Sequence, residues 1–140
     1  MKTSENIEKE KIKKYLDKKN YKKAYPMVMS AICSDIKNVT LLDLLASEFK
    51  KYKMDKDLIE VHKLEFQYTL NPKYFEKIGD IYSKTGDLEL ALENYFNYAE
   101  NSKPTARIYK KLAKTFEKQG DLESMKTCIS QAELLKGSNG

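Results

Sequence analysis

The sequence predicts an all-α chain assembled from repeated helical hairpins, and three observations carry that expectation. Gly and Pro are scarce, five and three in 140 residues, so the frequent turn signals of a β-sandwich are missing. Apolar residues recur three and four positions apart, the period of one helix face. A segment that begins at Lys77, KIGDIYSKTGDLELALENYFNYA, returns 34 residues later at Lys111 as KLAKTFEKQGDLESMKTCISQAE. Self-similarity at such a period marks stacked supersecondary units. Charged residues make up 34% of the chain, but ten Tyr and five Phe supply the large apolar groups that disordered chains lack, so the chain should fold.

The elements follow from the residues of the repeated segment. Asn71-Pro72 offers an N-cap followed by proline at the first helical position. Ile78, Ile81 and Tyr82 then share one face of a first helix. Gly86 stands where that helix must stop, because glycine takes the left-handed C′ conformation without steric penalty. Asp87 follows as the expected N-cap of a second helix, its carboxylate near free N–H groups. Leu88, Ala91, Leu92, Tyr95 and Ala99 continue the apolar stripe, and Pro104 should open the next helix as Pro72 does. Gly86-Asp87-Leu88-Glu89 recurs as Gly120-Asp121-Leu122-Glu123, so a second hairpin of the same kind is expected.

These residues resemble the tetratricopeptide repeat, a family of 34-residue helical hairpins. Its pattern runs from a large residue through Leu-Gly, Tyr, a turn Gly, a small residue, an aromatic and a second small residue to Pro. A unit over residues 72–105 offers Phe75, Ile78-Gly79, Tyr82, Gly86, Ala91 and Tyr95, and departs from the pattern at Tyr98 and at Pro104, which is one place late. A unit over 106–136 offers Tyr109, Leu112-Ala113, Phe116, Gly120, Met125, Ile129 and Ala132. A unit over 39–71 matches less closely, with Leu42, Leu45-Ala46, Phe49, Leu58 and His62, and Lys53-Met54 in place of the turn glycine. A unit over about 5–38 gives Ile12, Tyr15, Ala24, Val28 and Ala31, with Pro26 expected to kink or delay its second helix. The small-residue positions Ala24, Leu58, Ala91 and Met125 are spaced 34, 33 and 34 apart, so four units are expected over residues 1–136 as one domain. The resemblance implies a right-handed α-solenoid of antiparallel hairpins.

The end of the stack has its own signal. The second-helix positions that pack on a following unit are Tyr25, Met29 and Ile32 in the first unit and Leu92, Phe96 and Ala99 in the third, but Lys126, Ser130 and Glu133 in the fourth. A terminal repeat needs a polar outer face. The stack is therefore expected to end near Leu135, with residues 137–140 a loose tail.

No residue pattern argues for catalysis, a metal or a cofactor, and the chain is expected not to be an enzyme. His62 is the one histidine and falls where the resembled family places a core aromatic, so a structural role is expected. Cys33 and Cys128 lie far apart on expected second helices and read as small buried hydrophobes. Asp55 and Asp57 lack the glycine and distal Glu of a calcium loop. The N-terminus has no apolar signal region and no apolar run nears the roughly 20 residues of a membrane span. A cytoplasmic monomer that touches no membrane is the expectation.

The net charge of +5 is mild, and opposite charges are interleaved, so an acidic partner is permitted and nucleic acid is not demanded. In the resembled family, ligands lie along a concave face lined by first helices. Carried over, that face holds Thr40, Asp43, Ser47, Lys50 and Lys51; Lys73, Glu76, Asp80, Ser83 and Lys84; and Arg107, Lys110, Lys114, Glu117 and Lys118. The first unit adds Asn6, Lys9, Lys13, Leu16 and Asp17. These positions hold ten basic residues against five acidic ones, so the whole charge excess falls on them. The family's clamp for chaperone tails is not expected, because its asparagines are missing, but Lys77, Arg107 and Lys111 remain as a looser anion contact. The resemblance thus implies a scaffold that holds a peptide or protein segment, of acidic character, in a basic groove. The alternatives are nucleic-acid binding by the same face, for which the mapped positions lack stacking aromatics, and an accessory domain of a larger enzyme.

Overall fold

The computed structural model describes residues 39–139, together with Glu10, Lys11, Lys13, Lys14, Asp17, Lys18 and Met27. The unit expected over about 5–38, with Cys33 and Pro26, lies almost wholly outside them. The described residues form six helices and no strand. They are α1 (Val39–Lys51), α2 (Asp55–Thr69), α3 (Lys73–Thr85), α4 (Leu88–Asn101), α5 (Ala106–Gln119) and α6 (Leu122–Asn139). The chain divides into two compact units, Met1–Leu70 and Asn71–Gly140. The first contains the α1–α2 hairpin. In the second, α3 packs on α4, α4 on α5, and α5 on α6.

One turn geometry joins each pair. The residue at C′ is left-handed in all three, with φ of 56° at Lys53, 92° at Gly86 and 80° at Gly120. The next N–H reaches back five residues in every case: Met54 to the Phe49 carbonyl at 2.8 Å, Asp87 to Tyr82 at 2.9 Å, and Asp121 to Phe116 at 3.0 Å. This is the hydrogen bond that satisfies an orphan carbonyl at a helix end. Lys53 adopts the conformation without being glycine, so the period persists where its sequence signature has lapsed.

The helix starts differ from the expectation in three places. Asp87 occupies the N-cap position of α4, but its side chain makes no capping bond. Asp121 does cap: its Oδ1 accepts from the Ser124 N–H at 3.1 Å and its Oδ2 from the Ser124 hydroxyl at 2.7 Å. The third position of α4 is Leu90, which offers no hydroxyl to fix the carboxylate. Pro104 does not open α5. Thr105 is its N-cap, and the Thr105 hydroxyl accepts from the Ile108 N–H at 3.4 Å. Pro72 stands at the N-cap of α3 and not at its first helical position, and the Asn71 side-chain oxygen accepts from the Lys73 N–H at 3.0 Å around it.

The first unit buries Leu42, Leu45, Phe49, Leu58, Ile59 and Val61. His62 is buried with them, its Nδ1 2.8 Å from the buried Glu65 carboxylate, so a structural role fits it. The second unit has a core of Ala91, Tyr95, Ile108, Leu112, Ala113 and Cys128, with Tyr82, Leu92, Tyr98, Tyr109, Phe116 and Met125 packed against it. Tyr74, unexplained by the repeat pattern, is also buried. On α6, Lys126, Ser130 and Glu133 face solvent. The helix runs on through Gly137 to Asn139, where the sequence suggests a loose tail. A regular backbone continues there because Lys136 and the three residues after it bring neither proline nor a left-handed glycine.

Candidate functional site

The second unit brings the first helices of two successive hairpins side by side, and most of the expected cations lie on them. Their common face is built by helical spacing: Glu76, Asp80, Ser83 and Lys84 from α3, and Arg107, Lys111, Lys114 and Lys118 from α5. Two of the cations are already matched. Arg107 donates from Nε to one Glu76 oxygen and from Nη2 to the other, both at 3.0 Å, and Nη2 also reaches the Tyr98 hydroxyl at 3.2 Å. Lys111 Nζ lies 2.7 Å from Glu76 Oε2 and 3.0 Å from Asp80 Oδ1. Asp80 in turn accepts the Tyr95 hydroxyl at 2.6 Å. A bidentate arginine–carboxylate pair is among the more specific ion pairs.

The electrostatics follow this geometry. Burial pushes the Glu76 carboxyl up, but the hydrogen bonds and charges of Lys111 and Arg107 outweigh it, and the group is held below the usual carboxylate range. Burial works against the Lys111 ammonium, yet Glu76 and Asp80 raise it. The Tyr95 phenol is pushed far up by burial and by the Asp80 carboxylate beside it, so it stays protonated and keeps donating.

Beyond this clasp the face opens into a shallow groove of about 270 Å³. It is lined by Asp80, Ser83, Lys84, Tyr95, Lys111, Lys114, Thr115 and Lys118. Thr115 is buried and its hydroxyl is committed to the Lys111 carbonyl at 2.8 Å. The structure therefore brings Lys84, Lys111, Lys114 and Lys118 together. It does not bring the others to this groove. Lys77 and Lys110 are exposed on α3 and α5 outside its lining. Lys73 lays its ammonium over the Tyr74 ring, 5.2 Å from the centroid. Lys50 is exposed on α1, in the first unit. In that unit Lys51 pairs with Asp17 at 3.5 Å, and Tyr52 donates to the same carboxylate at 2.9 Å.

Sequence reasoning missed the clasp. The signal was present: Glu76–Arg107 and Asp80–Lys111 are both separated by 31 residues, one repeat less about one helical turn. Opposite charges at that offset on first helices can meet across consecutive hairpins. Among the described residues no group of His, Cys, Asp and Glu is placed to hold a metal. No helix among them is long and apolar enough to cross a membrane.

Residues 72–95, which span α3 and the first half of α4, match the family model of the tetratricopeptide repeat. That segment is similar to one tetratricopeptide repeat. Solved structures agree with that fold. A crystal structure of MamA superposes on 96% of this chain and 80% of its own with a TM-score of 0.69, at 15% sequence identity. A second MamA structure covers 98% of this chain and 75% of its own, with a TM-score of 0.68 and 10% identity. No curated protein sequence matches the chain. At such identities the tetratricopeptide-repeat likeness is one of fold, and the site must be argued from this chain's own residues.

Proposed function

We propose that this chain is a protein-interaction scaffold whose α3–α5 groove holds an acidic segment of another protein. The observation that carries this reading is the uneven neutralisation of the groove. At one end Glu76 and Asp80 meet Arg107 and Lys111. At the other, Lys114 and Lys118 line open space, with no carboxylate but Asp80 in the lining. A carboxylate-bearing segment laid along the helices would place its charges on Lys114 and Lys118, while the clasped end would exclude it. Such a wall also speeds the arrival of an acidic ligand. The groove's one aromatic, Tyr95, is 2% exposed and hydrogen-bonded to Asp80, so it offers no face on which a base could stack.

The test is fluorescence anisotropy with a fluorescein-labelled twelve-residue Glu/Asp-rich peptide, run at low and moderate salt. Lys114→Glu with Lys118→Glu should weaken binding about tenfold or more, since each reversal turns an attraction of up to about 1 kcal/mol into repulsion. Lys110→Glu, outside the groove, should change it less than either groove reversal. Equal losses from all three would reduce the effect to net charge. Displacement of the peptide by poly-uridine at equal charge concentration would give the nucleic-acid reading the lead.

A further inference from the structure

The other face of the second unit has the opposite chemistry. A groove of about 360 Å³ runs between α4, α5 and α6, and none of its lining residues is basic. Phe96, Tyr109, Phe116 and Cys128 give it apolar walls, and Glu123 is its one charged residue. Phe96 is 39% exposed, a large share for a phenylalanine, and its ring lies 6.2 Å from that of Phe116, tilted by 58°. The α4 edge is acidic. At 3.6 residues per turn, Glu89, Glu93, Phe96 and Glu100 fall within an arc of about 60°, and all four are exposed. Among the described residues none of these glutamates, nor Glu123, is ion-paired. In a chain of net charge +5, this is a local reversal of sign around an apolar slot.

We propose that this groove docks a basic amphipathic helix of a partner protein. An aliphatic or aromatic side chain of that helix enters between Phe96 and Phe116, and its Lys or Arg side chains meet Glu93, Glu100 and Glu123. A slot flanked by two helices suits the helix-in-groove mode, in which apolar anchors spaced three and four apart supply the contact. The charge selects the partner. Like charge on the rim repels acidic segments and anionic surfaces, whereas a cationic helix gains attraction at the rim and burial at the centre. The surface is separate from the α3–α5 groove, so the two could be occupied at once, by ligands of opposite sign.

The experiment uses the full chain and three fluorescein-labelled fourteen-residue probes: a leucine–lysine amphipathic helix, a scrambled peptide of the same composition, and a leucine–glutamate helix. The leucine–lysine helix should bind at least tenfold more tightly than either of the others. Phe96→Ala should weaken that binding about tenfold, as should Glu93→Lys with Glu100→Lys. Lys56→Gln, exposed in the first unit, should change it less than threefold. Circular dichroism checks each variant's helix content, and Thr127→Arg, which sets a cation on the exposed groove wall, serves if Phe96→Ala loses structure. Binding unchanged by Phe96→Ala or Thr127→Arg and by the double reversal overturns the proposal, as does equal binding of the scrambled peptide. Sedimentation as a dimer that Phe96→Ala dissociates would also overturn it, naming a second copy as the occupant.

Discussion

A methyl group at Gly79 would sit 2.7 Å from both Cδ1 and Cε1 of Tyr95. Glycine within a helix is ordinarily a weakness of about 0.5–1 kcal/mol relative to alanine, so Gly79→Ala would stabilise α3 if nothing opposed it. Here the opposing group cannot yield, because Tyr95 is 2% exposed and its hydroxyl is tied to Asp80 at 2.6 Å. Overpacking a core costs about 1–3 kcal/mol, and that term wins. Gly79→Ala should therefore lower stability by about 1–2 kcal/mol in urea unfolding. In a Tyr95→Leu background the same substitution should be neutral or favourable, and a double-mutant cycle would read the coupling directly. The chain offers its own precedent, for the equivalent positions 34 residues on are Ala113 and Ile129. Both members of this pair were legible in the sequence as repeat positions. Their dependence on one another was not, because a pattern names residue types and not the gap between atoms.

Between α1 and α2 the turn takes the shape that Gly86 and Gly120 give the later hairpins, but Lys53 supplies it at φ 56°. A side chain in that region costs about 1 kcal/mol. Lys53→Gly should raise the midpoint of unfolding of the first unit, by up to about 1 kcal/mol, and Gly86→Lys should lower that of the second by a similar amount. Thermal melts of the two variants would show shifts of opposite sign. The α3–α5 clasp makes a different prediction, in pH. Glu76 has its carboxyl held below its ordinary value of about 4.3 by Lys111 and Arg107, against its burial. A depressed carboxyl contributes stability above its unfolded pKa and loses it as pH falls through the folded value. Tm should thus drop more steeply below pH about 4 in wild type than in Glu76→Gln, whose profile should be flatter and lower at neutrality. The helices and their turns were largely readable from spacing and glycine. The clasp was not, because it depends on the register between two first helices, and a family pattern is silent about exposed positions. The charge count that placed Arg107 on the groove included Glu76 and Asp80, and the clamp positions added Lys111, but neither showed which charges would pair.

The chain as a whole has two units, and the second carries a core drawn only from its own residues, from Ala91 and Tyr95 to Leu112 and Cys128. In repeat proteins stability is close to a sum of units and their neighbour terms. A fragment of residues 71–140 should accordingly fold alone, giving a helical circular dichroism spectrum and a cooperative urea transition, though with the marginal stability usual at that size. A non-cooperative melt would show that the second unit depends on residues before Asn71. At this scale the all-α class and the hairpin order were available from composition and the 34-residue period. The division of surface charge was only half available. The lysine excess of first helices is visible in a list of residues, whereas the acidic row beside Phe96 emerges only once α4 is known to turn that face away from its neighbours in the core.

Cys128 sits in the wall of that acid-rimmed groove, 6% exposed, and burial together with the Asp121 charge raises its thiol above the ordinary value. Only the thiolate reacts with alkylating agents, so at neutral pH the sulfur is slow both by access and by protonation. Its labelling becomes a clock for the protein's breathing: each reaction reports a moment when α6 has lifted from α5. In a Cys33→Ser chain, the rate at which iodoacetamide consumes Cys128 would measure how often the last hairpin opens. Any molecule seated beside Phe96 would be timed by how far it slows that clock.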